Sequence, residues 1–237
     1  MAQIQVREII GVLGGMGPLA SAEFLKTIYE STLVGEHEQD SPRVMVYSDP
    51  TFPDRTDAFL AGEADVIRDQ LIKALSQLQY LGASKIVICC MTIHHLLPDL
   101  PDKLREAIIS LPDVIFDNLA QTEKRHLLIC STGTQRLRLF QNHSRWDELK
   151  NQIILPGEDD QHTIHRDLIY PIKKNPDVSG LIPLLKSLLE KYQVDSFIVG
   201  CSEVHLIAKH LKLQSNNRYD SLDPFSIIAQ RLAETGS

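Results

Sequence analysis

The sequence is poor in several features that mark particular classes of protein. Of its 237 residues, 24 are lysine or arginine and 31 are aspartate or glutamate, which gives a net charge of −7. No apolar run approaches the length of a membrane span, and the first residues lack the charged leader and apolar core of a secretion signal. These absences argue against general binding to nucleic acid or membranes and predict a cytoplasmic protein.

Cysteine is also scarce, with residues at positions 89, 90, 130 and 201 only. A chain of this length can bury its own core without disulfide bridges. In a reducing compartment such cysteines are expected to be reactive, metal-ligating or simply buried. A disulfide between the neighbours Cys89 and Cys90 would need a strained ring and is not expected.

Two of the cysteines occupy matching places in the chain. In each copy an apolar, strand-like run ends in a cysteine, a hydroxyl residue follows within two positions, and a histidine lies four positions after the cysteine. The two sets are Cys90, Thr92, His94 and Cys201, Ser202, His205. The cysteines are 111 residues apart, and two turn glycines, Gly17 and Gly133, are 116 apart, so an internal duplication is predicted. Two thiols on opposite faces of one substrate can exchange a proton, as in a racemase.

Strands and helices alternate along both halves. The predicted strands are 9–13, 43–47, the run into Cys90, 126–130, 153–156 and the run into Cys201. The main predicted helices are 20–33, 63–81, 180–192 and 223–233. Such alternation indicates parallel sheets with helices on both faces. No linker rich in glycine or serine separates the halves, so they are expected to pack closely.

Ligands of parallel α/β sheets gather at the carboxyl ends of the strands. Four segments lie at such ends and are expected to face one cleft: 14–18, 90–92, 131–134 and 201–203. The glycines of the first segment do not form the dinucleotide motif, and no phosphate-loop lysine follows, so the segment is either a tight turn or a carboxylate-binding helix start. A helix start or a nearby cation is expected to lower the pKa of each cleft cysteine. Cys89 and Cys130 have no repeat partner and are expected to be buried.

A zinc site is the main alternative for the two repeated motifs. Cys90 with His94, and Cys201 with His205, have the four-residue spacing of a Cys₂His₂ site. Helical spacing, however, points each histidine along its helix and away from the cleft. The prediction is therefore no metal, with His94 and His205 as packing or supporting residues.

At this point the motifs resemble a known family, the cofactor-independent aspartate/glutamate racemase superfamily, and most closely its aspartate racemases. The matching segments run in order over nearly the whole chain: residues 10–22, the Pro-x-x-Pro-Asp-Arg-Thr loop 50–56, Cys90-x-Thr92-x-His94, the segment 131–134 and Gly200-Cys201-Ser202-Glu203-Val204. Asp223-Pro224 also resembles the start of the family's last helix.

The resemblance implies two pseudo-symmetric α/β domains, 1–116 with 222–237 and 117–221, each a parallel sheet flanked by helices, with the active site in the interdomain cleft. It implies a racemase that acts on aspartate, or else on glutamate. Such a racemase uses no cofactor and forms a homodimer. Cys90 and Cys201 match its catalytic cysteines. The residues that match its substrate pocket are Met16, Arg55, Thr92, Thr132, Thr134, Lys173 and Ser202, with Arg55 and Lys173 as the cations for an acidic amino acid.

The first cysteine motif departs from the family. Members usually have Pro-Cys-Asn-Thr where this chain has Cys89-Cys90-Met91-Thr92. Methionine cannot supply the hydrogen bonds of asparagine, so substrate choice or rate is expected to differ. Two alternatives to an aspartate racemase therefore stay open: a non-catalytic binding protein for acidic amino acids, and an isomerase or decarboxylase of another small diacid.

Overall fold

The computed structural model describes residues 8–33 and 37–235, which form two parallel β-sheets. The first sheet has the order β2-β1-β3, and the second has the order β5-β4-β6-β7. The strands are β1 (Ile9–Gly14), β2 (Arg43–Ser48), β3 (Ala83–Ile88), β4 (His126–Cys130), β5 (Ile153–Ile154), β6 (Ser196–Gly200) and β7 (Asp220–Leu222). In both halves the first strand lies between the second and the third, as an internal duplication predicts, and β7 is an addition to the second half.

Helices flank the sheets, as alternation along the chain predicts. They are α1 (Pro18–Thr32), α2 (Arg55–Leu60), α3 (Ala64–Tyr80), α4 (Asp102–Arg105), α5 (Leu111–Leu119), α6 (Thr132–Arg136), α7 (Trp146–Leu149), α8 (Glu158–Thr163), α9 (Tyr170–Ile172), α10 (Ile182–Lys191), α11 (Val204–Lys212) and α12 (Pro224–Thr235). A 3₁₀ helix spans Thr92–Asp99 and a π-helix spans Ile164–Ile169. No described helix is long and apolar enough to span a membrane.

The last helix ties the two halves together. Phe225 of α12 lies with its ring centroid 5.0 Å from that of Phe24 in α1. Both rings belong to one apolar cluster that also holds Val12 of β1 and Leu128 of β4. The core is therefore continuous between the sheets. The predicted domain limits fall inside α5 and β7, and the division into 1–116 with 222–237 and 117–221 stays a prediction.

The turn after β1 depends on a glycine. Gly15 has φ of +92°, and a Cβ there would lie 2.3 Å from the backbone carbonyl carbon of Asp49. Only glycine adopts this conformation without strain and allows the approach. The end of β1 is thereby held against the end of β2, where Asp49 N–H donates to Gly14 O.

The elements that the sequence does not predict are the short ones. The three-residue strand β7 and helices such as α4, α6 and α9 contain too few residues to show a hydrophobic period. The long helix predicted over 63–81 is α3, one residue shorter at each end. Helix α1 begins at Pro18 instead of residue 20, because proline fits the first turn of a helix.

Candidate active site

A small cavity of about 20 Å³ lies where the carboxyl ends of the two sheets meet. Its walls come from both halves: Met16, Asp54, Arg55, Thr56, Cys90, Met91, Thr92, Ser131, Ile169, Lys173, Cys201, Ser202 and Glu203. All the predicted site residues except Thr132 and Thr134 are among them. The space holds roughly one water molecule. A substrate therefore enters only if the halves or their loops move apart.

The two repeated cysteines sit at equivalent strand ends. Cys90 follows β3 by two residues, and its N–H donates to Ile88 O at 2.8 Å. Cys201 follows β6 directly. Both are unbridged and nearly enclosed, with 5% and 8% of their surface exposed. Cys89 and Cys130 are fully buried outside the cavity, where burial raises the pKa of Cys130 to about 12 and that of Cys89 further.

Cys90 lies beside a fixed cation. The Arg55 guanidinium donates to the carbonyl oxygens of Pro53 at 2.8 Å and of Met16 at 3.0 Å. Its Nε is buried without a hydrogen-bond partner. Burial raises the pKa of Cys90, while the nearby Arg55 charge opposes the rise and favours a thiolate.

Cys201 lies beside an anion instead. Its Sγ donates to Oε2 of Glu203 at 2.9 Å, and the Ser202 hydroxyl donates to the same oxygen at 3.1 Å. Burial and the Glu203 charge raise the pKa of Cys201 well above its ordinary value, with Lys173 opposing them. The expectation that a helix start or a cation lowers both pKa values is therefore wrong: burial outweighs each of these influences.

Lys173 does not point freely into the cavity. Its Nζ lies 3.2 Å from Oδ2 of Asp54, which also accepts a bond from the Tyr170 hydroxyl at 3.1 Å. Lys173 Nζ also lies 4.1 Å from the centre of the Tyr170 ring. Asp54 belongs to the first half and its two partners to the second, so this contact joins the halves at the cavity.

Thr134 and Thr132 lie behind the cavity wall. The Thr134 hydroxyl lies 2.9 Å from that of Thr92, and Ser131 Oγ lies within 3.2 Å of both. Thr132 contributes its backbone N–H, which donates to Nδ1 of His165. The hydroxyl cluster joins the two halves and orients Thr92, so Thr134 acts on the cavity through another residue.

The two histidines of the repeated motifs have partners other than a metal. His94 accepts the Leu111 N–H at Nε2, so its Nδ1 donates to Cys90 O at 3.0 Å, and burial lowers its pKa to about 4. His205 binds Asp223 and Thr27. Within residues 8–33 and 37–235 no group of three or more histidine, cysteine or acidic side chains is arranged to hold a metal ion.

The sequence predicted no role for three residues that contact the predicted site residues: Asp54, Tyr170 and Glu203. Glu203 and Asp54 lie inside the matched motifs, directly beside predicted site residues, and that adjacency was the available signal. Tyr170 is three residues before Lys173, which places both on one side of a helical turn. Met91 also lines the cavity and is 2% exposed.

Known proteins resemble this chain over most of its length. The Asp/Glu/hydantoin racemase family model matches residues 13–232. The broad specificity amino-acid racemase RacX of Bacillus subtilis (strain 168) is 23% identical over 217 residues, which cover 86% of this chain and 89% of that protein.

Solved structures share the fold. The aspartate racemase of Picrophilus torridus has a TM-score of 0.81 at 21% identity, with 97% of this chain and 94% of that chain covered. A glutamate racemase from Campylobacter jejuni subsp. jejuni has a TM-score of 0.60 at 20% identity, covering 96% and 85%. These likenesses confirm the predicted α/β fold, and the family match supports an amino-acid racemase. Since that match spans nearly the whole sequence, the chain belongs to the Asp/Glu/hydantoin racemase family and is an isomerase.

Proposed function

We propose that the protein interconverts L- and D-aspartate by proton transfer at Cα between Cys90 and Cys201, without a cofactor. The observation that carries this proposal is that one thiol from each half lines the same enclosed cavity. The sequence motifs most closely resemble those of aspartate racemases, and this favours aspartate over glutamate as the substrate.

In the proposed reaction the thiolate on one face takes the Cα proton, and the electrons of the broken C–H bond pass to Cα and the adjacent carboxylate. The thiol on the other face then gives its proton to Cα, and its S–H electrons stay on sulfur. The product has the opposite configuration, and the two cysteines have exchanged protonation states. Enclosure strengthens every charge that stabilises the intermediate.

The surroundings of the thiols favour one starting state. Cys90 lies beside the Arg55 cation, while the Cys201 thiol donates to the Glu203 carboxylate. Burial raises the pKa of both thiols, but only Cys90 has the Arg55 cation to oppose the rise, so Cys90 is proposed as the thiol that ionises first. A proton is first removed on the Cys90 face and returned from the Cys201 face.

The two cations give places for two carboxylates. Arg55 is held by backbone carbonyls while its Nε has no partner, so it is ready to donate to the substrate α-carboxylate. Lys173 is proposed for the side-chain carboxylate, in exchange for Asp54. Both assignments rest on charge and position.

A racemisation assay tests the proposal. Purified protein is incubated in deuterated water with L-aspartate, L-glutamate, L-asparagine or L-glutamine, without added cofactor. We expect D-aspartate with deuterium at Cα, slower reaction of glutamate, and no reaction of the amides. Near-normal interconversion by a Cys201→Ala variant would refute the two-cysteine scheme.

One other reading predicts a different product. An isomerase of another small diacid, which Met91 in the cavity wall would favour, shows a product with that diacid alone. The proposal further includes a cytoplasmic homodimer, which light scattering and cell fractionation test.

A further inference from the structure

The cavity contains two buried polar atoms of opposite charge that have no hydrogen-bond partner. They are Nε of Arg55 and Oε1 of Glu203. Native proteins leave few such atoms unpaired, because an unsatisfied buried donor or acceptor is costly. A pair of them in the wall of one cavity points to a ligand that carries both a negative and a positive group.

The two oxygens of Glu203 differ sharply in their surroundings. Oε2 accepts both the Cys201 thiol and the Ser202 hydroxyl, while Oε1 accepts nothing. The residue is 2% exposed, so bulk solvent has little access to Oε1. The bonds to Oε2 fix the carboxylate in place and leave Oε1 as the acceptor for an incoming group.

Gly17 keeps the space beside Oε1 open. A Cβ at this position would lie 2.8 Å from Oε1, closer than a non-bonded contact allows. The Gly17 backbone has φ of −105° and ψ of 149°, which any residue adopts. The turn itself therefore does not need a glycine. The absence of a side chain leaves room for the Glu203 carboxylate.

We propose that Oε1 of Glu203 accepts the α-ammonium group of the substrate, which makes the site selective for amino acids over other diacids. An ammonium group supplies the hydrogen-bond donors that Oε1 lacks, and its charge is opposite to that of the carboxylate. Its position also fits, since the ammonium is one bond from Cα, and the neighbouring oxygen of Glu203 lies 2.9 Å from the Cys201 sulfur. This inference rests on the proposed function and names the group that the site requires.

Comparison of L-aspartate with L-malate isolates the ammonium group. The two diacids have the same carboxylates, and malate has a hydroxyl in place of the ammonium. We expect the wild-type protein to bind aspartate roughly ten- to a hundredfold more tightly in calorimetry, the range of a charged hydrogen bond. In Glu203→Gln the ratio of the two dissociation constants should fall towards one. An unchanged ratio in a folded Glu203→Gln protein overturns the proposal.

A second variant tests the same contact without changing charge. Gly17→Ala places a methyl group against Oε1 and should weaken aspartate binding more than malate binding. The matched controls are Gly180→Ala, where a Cβ meets nothing within 4 Å, and Glu158→Gln, whose side chain is 92% exposed. Both controls should keep the wild-type ratio. Equal weakening of both ligands by Gly17→Ala counts against the proposal.

Racemisation measured on the same samples separates the two hypotheses. If wild type racemises aspartate but the ratio is the same in wild type and Glu203→Gln, the ammonium contact is wrong and the proposed function stands. If wild type prefers aspartate, loses that preference in Glu203→Gln and exchanges no Cα proton, the contact stands and the proposed function is wrong.

Discussion

The two halves place their cysteines alike and surround them differently. Each thiol follows the third strand of its half, which pairs with the first strand of that half, yet Arg55 accompanies Cys90 and Glu203 accompanies Cys201. Backbone position thus follows the repeat, whereas charge does not. The two thiols therefore have unlike surroundings, one that favours thiolate and one that favours thiol.

The histidines of the two motifs show the same contrast. His94 is a neutral ring between two backbone groups, the Cys90 carbonyl and the Leu111 N–H. His205 lies 2.6 Å from the Asp223 carboxylate. The Thr27 hydroxyl donates to Glu23 O and lies 2.9 Å from His205 Nε2. One histidine therefore supports a loop, and the other links α11, α1 and the start of α12.

Removal of either cavity thiol gives the largest expected effect. Cys90→Ala and Cys201→Ala each remove one of the two proposed proton carriers, so racemisation should fall by about 10³-fold or more, as for other residues that act as a unit. The rate of D-aspartate formation from L-aspartate measures this loss.

The other two cysteines provide matched controls. Cys89→Ala and Cys130→Ala remove fully buried thiols outside the cavity and should retain most of the activity at temperatures where the variants stay folded. If these variants lose as much activity as the cavity variants, the thiols act through packing and the proposed mechanism fails.

Asp223→Ala tests the contrast between the histidines through stability. Burial raises the pKa of Asp223, but bonds from His205, Ser226 and the Phe225 N–H outweigh this and lower it. The substitution should lower the free energy of unfolding by about 3–5 kcal/mol, because the buried His205 is left without its partner. Urea unfolding at neutral pH measures this loss. Since the lowered pKa stabilises only the ionised form, the difference from wild type should shrink as the pH falls through that pKa.

The pair of His143 and the exposed Asp113 is the control for this experiment. Asp113 lies 2.8 Å from His143, and its side chain is 66% exposed. Asp113→Ala should cost about 1 kcal/mol or less. Equal losses for the two aspartates would show that burial of the Asp223 pair contributes nothing special.

Arg55→Gln tests the electrostatic difference between the thiols directly. Burial raises the pKa of Cys90 and Arg55 opposes that rise, so removal of the charge should raise the pKa further. The increase of kcat/KM with pH, which follows ionisation of the thiol, should therefore occur at higher pH. Activity at neutral pH should fall roughly ten- to a hundredfold. Glu203→Gln should lower the pKa of Cys201, the opposite direction. Arg166→Gln, with a 65% exposed side chain, is the control.

The strand ends were predictable from the sequence, and the charges around them were not. Hydrophobic runs and turn residues placed Cys90 and Cys201 at a common cleft, because a parallel sheet fixes where its strands end. The bond from Cys201 to Glu203 depends on side-chain rotation, and the contact of Lys173 with Asp54 depends on how two distant loops dock. Neither leaves a periodic trace in the sequence. The burial that raises both thiol pKa values likewise arises only when the halves close.

Asp54→Asn gives the smallest expected effect, and it tests whether the halves are joined by a contact that the substrate replaces. Asp54 holds Lys173 through Oδ2 and caps α2 through Oδ1, which accepts the Thr56 N–H. Asparagine retains an oxygen for the cap but loses the charge, so Lys173 is released for a substrate carboxylate. Because partly exposed ion pairs contribute about 1 kcal/mol or less, KM for aspartate should fall only a few-fold. The control is Asp57→Asn, an exposed change in the same helix, which should leave KM unchanged. A rise in KM for Asp54→Asn would show that Asp54 orients Lys173 instead of competing with the substrate carboxylate for it.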